Sequence, residues 1–229
     1  MITEIYINGD SYSCPLNMGE SAYSNFIANQ TDISVTNHAI PGCCNDRIFR
    51  TTLEYCANLK QDQRPLIIIG FSFMTREEIW IDNISNYSHR IKDYTGSQFI
   101  TSAWVTKVDE ATMHAIIDQN INKQMTHFYV KLFMLAHTLK SLDLPYHIFS
   151  AADNTDFRNL NWNSLRNLQV FQKIIQDPNI IDLHKFSIGK WAKDNDIKTT
   201  NTKHLNEDGH KMFADYLLKN VINDLICER

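Results

Sequence analysis

The chain has 229 residues and a mass of 26.6 kDa, with 43% hydrophobic and 21% charged residues, 7 glycines and 5 prolines. That is enough apolar sequence to bury one sizeable core, and it excludes a disordered chain, a collagen-like repeat and a small disulfide scaffold. Lys and Arg number 22 against 26 Asp and Glu, a net charge of -4. No basic block stands ready to grip a phosphate backbone, so the composition speaks against a nucleic-acid partner.

The longest apolar run, Leu66 to Phe71, is far short of the roughly 20 residues that a membrane helix needs. The opening MITEIYINGDSY has neither the basic start nor the apolar stretch of a secretory signal. The expectation is a chain with no membrane span, cytoplasmic or virion-associated. Five cysteines (Cys14, Cys43, Cys44, Cys56 and Cys227) make an odd number at no zinc-like spacing, which suits reduced thiols better than a disulfide framework.

In chain order, Ile2 to Asn8 reads as a strand ended by the turn chemistry of Gly9-Asp10-Ser11. A helix is expected near Glu20 to Asn29, a strand over Asp32 to Ala39 that stops at Pro41-Gly42, and a helix over Asp46 to Leu59 with Ile48, Phe49, Leu53 and Cys56 on one stripe. Pro65 to Gly70 is a continuous apolar run between turn residues, the pattern of a central parallel strand covered on both faces. Arg76 to Ile91 reads as helical, with a short strand at Gln98 to Thr101. Thr112 to Leu142 is the longest helical stretch, its apolar residues stepping by threes and fours from Ile116 to Leu139. Pro145 to Phe149 and Asn179 to Leu183 read as strands. Asn206 to Cys227 closes the chain as an amphipathic helix with Met212, Phe213, Tyr216, Leu217, Val221 and Leu225 inside.

No repeat or composition break divides residues 1–229, so a single domain is expected. The segment 81–110, with Tyr87, Tyr94, Phe99 and Trp104, is a candidate wall or lid. Strands separated by helical segments imply right-handed crossovers and a parallel sheet with helices on both faces. In such sheets the site is built from loops at the carboxyl ends of the strands. That directs attention to Gly9 to Ser13, Pro41 to Arg47, Gly70 to Arg76 and the loop before the last helix.

Ser11 stands in the first of these loops, and a serine nucleophile needs a base. His204, in Lys203-His204-Leu205-Asn206-Glu207-Asp208-Gly209-His210, is the natural partner. Each motif alone is ordinary: Gly9-Asp10-Ser11 suits a turn, and Asn206 suits a helix cap. Together, Gly9-Asp10-Ser11-Tyr12-Ser13, Ile40-Pro41-Gly42-Cys43-Cys44-Asn45 and His204-Leu205-Asn206-Glu207-Asp208-Gly209-His210 resemble three blocks of the SGNH/GDSL hydrolase family, in family order and across nearly the whole chain.

The resemblance implies a flavodoxin-like three-layer α/β/α sandwich with a parallel sheet, and a serine esterase that uses no metal or organic cofactor. It implies Ser11 as nucleophile, His204 as base, and an oxyanion hole from the Ser11 and Gly42 backbone. Two positions depart from the family. Ser72, in Gly70-Phe71-Ser72-Phe73, replaces the usual oxyanion asparagine, so Ser72 or Asn45 is expected to supply that donor. Asn201 replaces the triad aspartate, with Asp194, Asp196 or a backbone carbonyl as substitutes in orienting His204. The implied substrates are small acyl esters of carbohydrates, then lysophospholipids or thioesters. The rival is a carbohydrate-binding or structural module that kept the fold and lost turnover.

Other conspicuous residues have plainer readings. Cys43 and Cys44 suit packing, Arg76-Glu77-Glu78 suits a first helical turn more than an anion contact, and His114, His127 and His137 share no metal-ligand spacing. His210 is read as packing or orienting the loop.

Overall fold

A computed structural model describes residues 2–14, 21–74, 76, 78–80, 99–101, 121–154, 160–200, 204–223 and 225. Four strands, β1 (Glu4–Gly9), β2 (Ser34–Asn37), β3 (Leu66–Phe71) and, later in the chain, Tyr146–Ser150, form one parallel sheet. Between β1 and β3 lie α1 (Tyr23–Gln30) and α2 (Asn45–Ala57). A separate antiparallel pair follows, β4 (Glu78–Trp80) with β5 (Phe99–Thr101). Next come α3 (Ile121–Ser141), then β6 (Tyr146–Ser150), α4 (Trp162–Arg166), α5 (Gln169–Ile175), α6 (Ile188–Asp194) and α7 (Glu207–Leu217), which runs into a π turn at Leu218–Ile222.

The sheet order is β2-β1-β3-β6, and a parallel bridge between Ile148 and Ile180 adds a vestigial fifth position. This is the flavodoxin-like order, and the expected three-layer sandwich is the fold. Alternate residues of each strand feed two cores. Ile5, Ile7, Leu66 and Ile68 pack with α1, α6 and α7, whereas Tyr6, Ile67, Ile69 and Phe71 pack with α2, α3 and α5. Strands covered on both faces must be apolar throughout, which is why Leu66–Phe71 reads as an unbroken run. The α3 stripe of Met125, Phe128, Leu132, Leu135 and Leu139 is buried as its spacing requires.

Several expected features fall elsewhere. The helix expected from Arg76 is replaced at its start by β4, because Glu78 is claimed by tertiary partners. Its carboxylate pairs with Arg50 at 2.8 Å, its N–H donates to Asp46 Oδ2 at 3.2 Å, and its strand pairs with β5. Leu53 and Met212, expected inside, are 36% and 47% exposed at the edges of their stripes. The strand expected over Asn179 to Leu183 shrinks to the Ile180 bridge. The short helices α4, α5 and α6 carry too few turns for a clear period. Trp104 and the rest of the expected lid, apart from the β5 backbone, lie outside the described residues, as do Ile116, His114 and Cys227. Among the described residues no helix is long and apolar enough to cross a membrane.

His147 on β6 has a buried Nε2 with no hydrogen-bond partner among the described residues, and burial pushes the imidazole down to about 4. The unfolded chain takes up this proton near pH 6.5 and the fold only near 4, so the fold loses stability as pH falls through that window. The loss is at most about 3 kcal/mol. Chemical denaturation between pH 7 and 4 should show this slope in the wild type, and a flatter one in His147→Leu.

Candidate active site

The order β2-β1-β3 means that the chain leaves β1 in one direction and returns across it to β3. The carboxyl ends of β1 and β3 therefore flank the crevice where doubly wound sheets bind ligands. Ser11 follows β1 and Ser72 follows β3.

Local chemistry fixes the Ser11 loop. Asp10 Oδ1 accepts the Tyr12 N–H at 3.0 Å, and the Asp10 carbonyl accepts the Ser13 N–H at 2.9 Å, so side chain and backbone close one tight turn around Ser11. Gly9 has no room for a side chain: a Cβ there would stand 2.4 Å from Ser13 Oγ and 2.9 Å from the Gly70 carbonyl oxygen. The turn at Ile40 to Cys43 closes by a Cys43 N–H to Ile40 carbonyl bond of 3.3 Å, with Pro41 and Gly42 at its centre and Gly42 at φ 75°, the left-handed region where glycine carries no steric cost. It is tied to the end of β1 by Ile40 N–H and Cys43 Sγ, both donating to the Gly9 carbonyl.

The two ends of the chain meet here. Ser11 Oγ lies 2.8 Å from His204 Nε2, although 193 residues separate them. The imidazole stacks on the Tyr12 ring, with centroids 4.3 Å apart and planes 22° from parallel. Its backbone is held by Thr200, whose Oγ1 accepts the His204 N–H at 3.2 Å and whose N–H donates to the His204 carbonyl at 2.8 Å. Just beyond, Asn206 caps α7 by accepting the Gly209 N–H at 2.9 Å. Asn201 lies outside the described residues. His210, 3% exposed on α7, packs near Tyr23, away from the Ser11 contact.

The remaining expected donors are engaged. Ser72 is fully buried, and its hydroxyl donates to Asp10 Oδ2 at 2.6 Å. With its single hydrogen placed there, it has none for an oxyanion in this geometry. The Asn45 carboxamide clamps the loop after β3: its Oδ1 accepts the Ser72 N–H at 2.8 Å, and its Nδ2 donates to the Phe73 carbonyl at 3.1 Å. Cys43 and Cys44 are buried, and burial raises both thiols far from their reactive thiolate forms.

Sequence reasoning missed three parts of this site. The first is Asp10, whose carboxylate organises the loop and which stands in full view inside Gly9-Asp10-Ser11. The second is the Tyr12 ring, one residue from Ser11. The third is a cavity of about 870 Å³ lined by Tyr12, Phe73, Asp153, Lys190, Lys193 and Thr199, among others. Its far wall comes from α6 and the loop after it, which carry no motif.

The sheet order and the helices packed on both of its faces define the fold. This is the fold of the G-D-S-L lipolytic proteins and esterases. A member of the lipolytic protein G-D-S-L family from Veillonella parvula superposes with a TM-score of 0.52 at 14% identity, over 95% of this chain and 97% of that one. The psychrotrophic esterase EstA from Pseudoalteromonas sp., in a structure inhibited by monoethylphosphonate, gives 0.53 at 14% identity over 98% and 99%. Neither a protein-family model nor a curated protein sequence matches the chain.

Proposed function

We propose that the chain is a serine hydrolase acting on esters. The observation that carries this reading is the 2.8 Å contact between Ser11 Oγ and His204 Nε2 at the carboxyl end of β1. With the ring hydrogen on Nδ1, Nε2 accepts the serine proton as Oγ attacks an acyl carbonyl. The negative charge that develops on the carbonyl oxygen is met by the backbone N–H groups of Ser11 and Gly42. His204 then gives its proton to the departing alcohol, and the acyl-enzyme is hydrolysed by a water that His204 activates in turn. Asn201 is assigned to orient Nδ1. Ser72 takes part through its bond to Asp10 in the loop that carries Ser11, and Asn45 by clamping the loop after β3 that carries Ser72.

The alcohol is assigned to the cavity beside Tyr12. A lining that combines Tyr12 and Phe73 with Asp153, Lys190, Lys193 and Thr199 suits a polyhydroxyl leaving group, so small acyl esters of carbohydrates come first and lysophospholipids or thioesters next.

A fluorophosphonate probe tests the reading directly. Ser11 Oγ should bond to phosphorus as fluoride leaves and His204 takes the proton, giving one covalent adduct that peptide mass spectrometry places on Ser11. An unlabelled chain would favour the binding-module reading, which the Asn201 residue type and the engaged Ser72 hydroxyl motivate.

A further inference from the structure

Ser72, Asp10 and Arg76 form a relay under the nucleophile. Arg76 Nη1 donates to Ser72 Oγ at 3.0 Å and stands 3.6 Å from Asp10 Oδ2. Ser72 passes its own hydrogen to that same Oδ2, and Asp10 Oδ1 receives the Tyr12 N–H on the far side of Ser11. The guanidinium lies over the Phe73 ring, 4.5 Å from its centroid, which fixes its plane. Its side chain is only 23% exposed, and that of Asp10 is fully buried.

We propose that Arg76 is a positioning residue for the nucleophile, acting through Ser72 and Asp10 to hold the turn that presents Ser11 Oγ to His204. The inference rests on the reading of Ser11 and His204 as nucleophile and base. Its physical basis is the direction of the hydrogen bonds. Both Asp10 oxygens accept, and Ser72 has one hydrogen, so the relay is in register only while Asp10 is ionised. Were Oδ2 protonated, it would donate to Ser72 Oγ, and the serine hydrogen would be driven off Asp10 into a space already taken by the Arg76 N–H. A lone carboxylate buried this deeply would pick up a proton instead of bearing the cost of desolvation.

The net shift of the Asp10 carboxyl is upward, which is why the groups that favour its ionised form matter. Burial pushes its carboxyl up, opposed by the Ser72 hydrogen bond, the Tyr12 N–H, Arg76 and His204. The phenols of Tyr12 and Tyr23 and the thiols of Cys14 and Cys43 also surround it, but burial raises each of them, so they stay neutral in the working range. Among the described residues, the permanent charge that opposes burial of the carboxylate is Arg76. The ionised Asp10 also leaves a negative charge near His204, favouring the imidazolium that forms on attack.

The test uses the full chain with Arg76→Gln, Arg76→Lys and Ser72→Ala. Titration is followed by the Tyr12 amide in a ¹⁵N spectrum, and turnover by hydrolysis of p-nitrophenyl acetate from pH 5 to 9. Arg76→Gln should move the Tyr12 titration midpoint to higher pH by at least about half a unit. It should carry the acid limb of kcat the same way and lower kcat at neutral pH by roughly 10- to 100-fold with KM nearly unchanged. Arg76→Lys should restore most of both, and Ser72→Ala, which removes the larger of the two contributions, should move the midpoint in the same direction by at least as much. A Tyr12 midpoint indifferent to Arg76 overturns the proposal even in an active enzyme, and so does a KM rise at constant kcat, which would make Arg76 a substrate contact. A wild type inert toward ester and fluorophosphonate, but with the midpoint shift intact, sinks the hydrolase reading and leaves Arg76 as organiser of the same turn.

Discussion

Ser11→Ala is expected to lower kcat for a short-chain aryl ester by at least about 1000-fold while shifting the melting temperature little, because the nucleophile and base act as a unit and removing either forfeits covalent catalysis. Among the described residues the Ser11 side chain hydrogen-bonds to His204 alone. The turn around it is closed instead by Asp10 and Ser13, which the substitution leaves in place. Loss of one partly exposed hydroxyl removes almost no packing, so thermal unfolding should be nearly unchanged. Residual turnover should reflect the backbone donors and binding alone. Wild-type kcat in this variant would mean that Ser11 is a turn residue and that the esterase reading fails at its centre.

The second large effect separates the two histidines of the last motif. His204→Ala should depress acylation by several orders of magnitude, measured as the rate of fluorophosphonate labelling of Ser11, because no other described base stands at hydrogen-bond distance from its Oγ. It also uncovers one face of Tyr12, at small cost to stability. His210→Ala should do the opposite. That ring is buried on α7 beside Tyr23, so its removal leaves a cavity and lowers the melting temperature, with labelling slowed only modestly. Stopped-flow labelling and calorimetry on the same two variants give the ranking, and its reversal would reassign the base.

What could be read in advance divides along physical lines. β3 was legible because a strand covered on both faces has no polar alternation to confuse it, and α3 because its buried residues repeat at helical spacing from Met125 to Leu139. Ser11, Gly42 and His204 were singled out only by three blocks taken together, since each block alone suits an ordinary turn or helix cap, and the fold brings Ser11 Oγ to 2.8 Å from His204 Nε2. β4 was not. Its state is decided by Arg50, Asp46 and β5, all distant in sequence, and the local pattern around Glu78 favours helix. The Arg76 relay was hidden for the same reason: Asp10 and Ser72 lie 62 residues apart, and only the β1–β3 pairing makes them neighbours. The oxyanion role expected of Ser72 followed from its position in a motif, but the direction of a hydroxyl hydrogen is set by its nearest acceptor, here a buried carboxylate.

The parallel crossover between β1 and β3 also governs when chemistry becomes available as the chain is made. The Ser11 turn and the Gly42 loop belong to the first three strands and their two helices, all contributed by the first third of the sequence. His204 arrives on the loop before α7, after the last sheet position has been filled. A ribosome moving from the amino end therefore completes one half of the Ser11–His204 pair long before the other, and no fragment that stops short of His204 joins them. Contacts this distant in sequence form late because their loop-closure entropy must be met first. The 2.8 Å contact is thus a record of both ends of the fold having closed, and on the proposed reading labelling at Ser11 would report the placement of α7 as faithfully as that of β1.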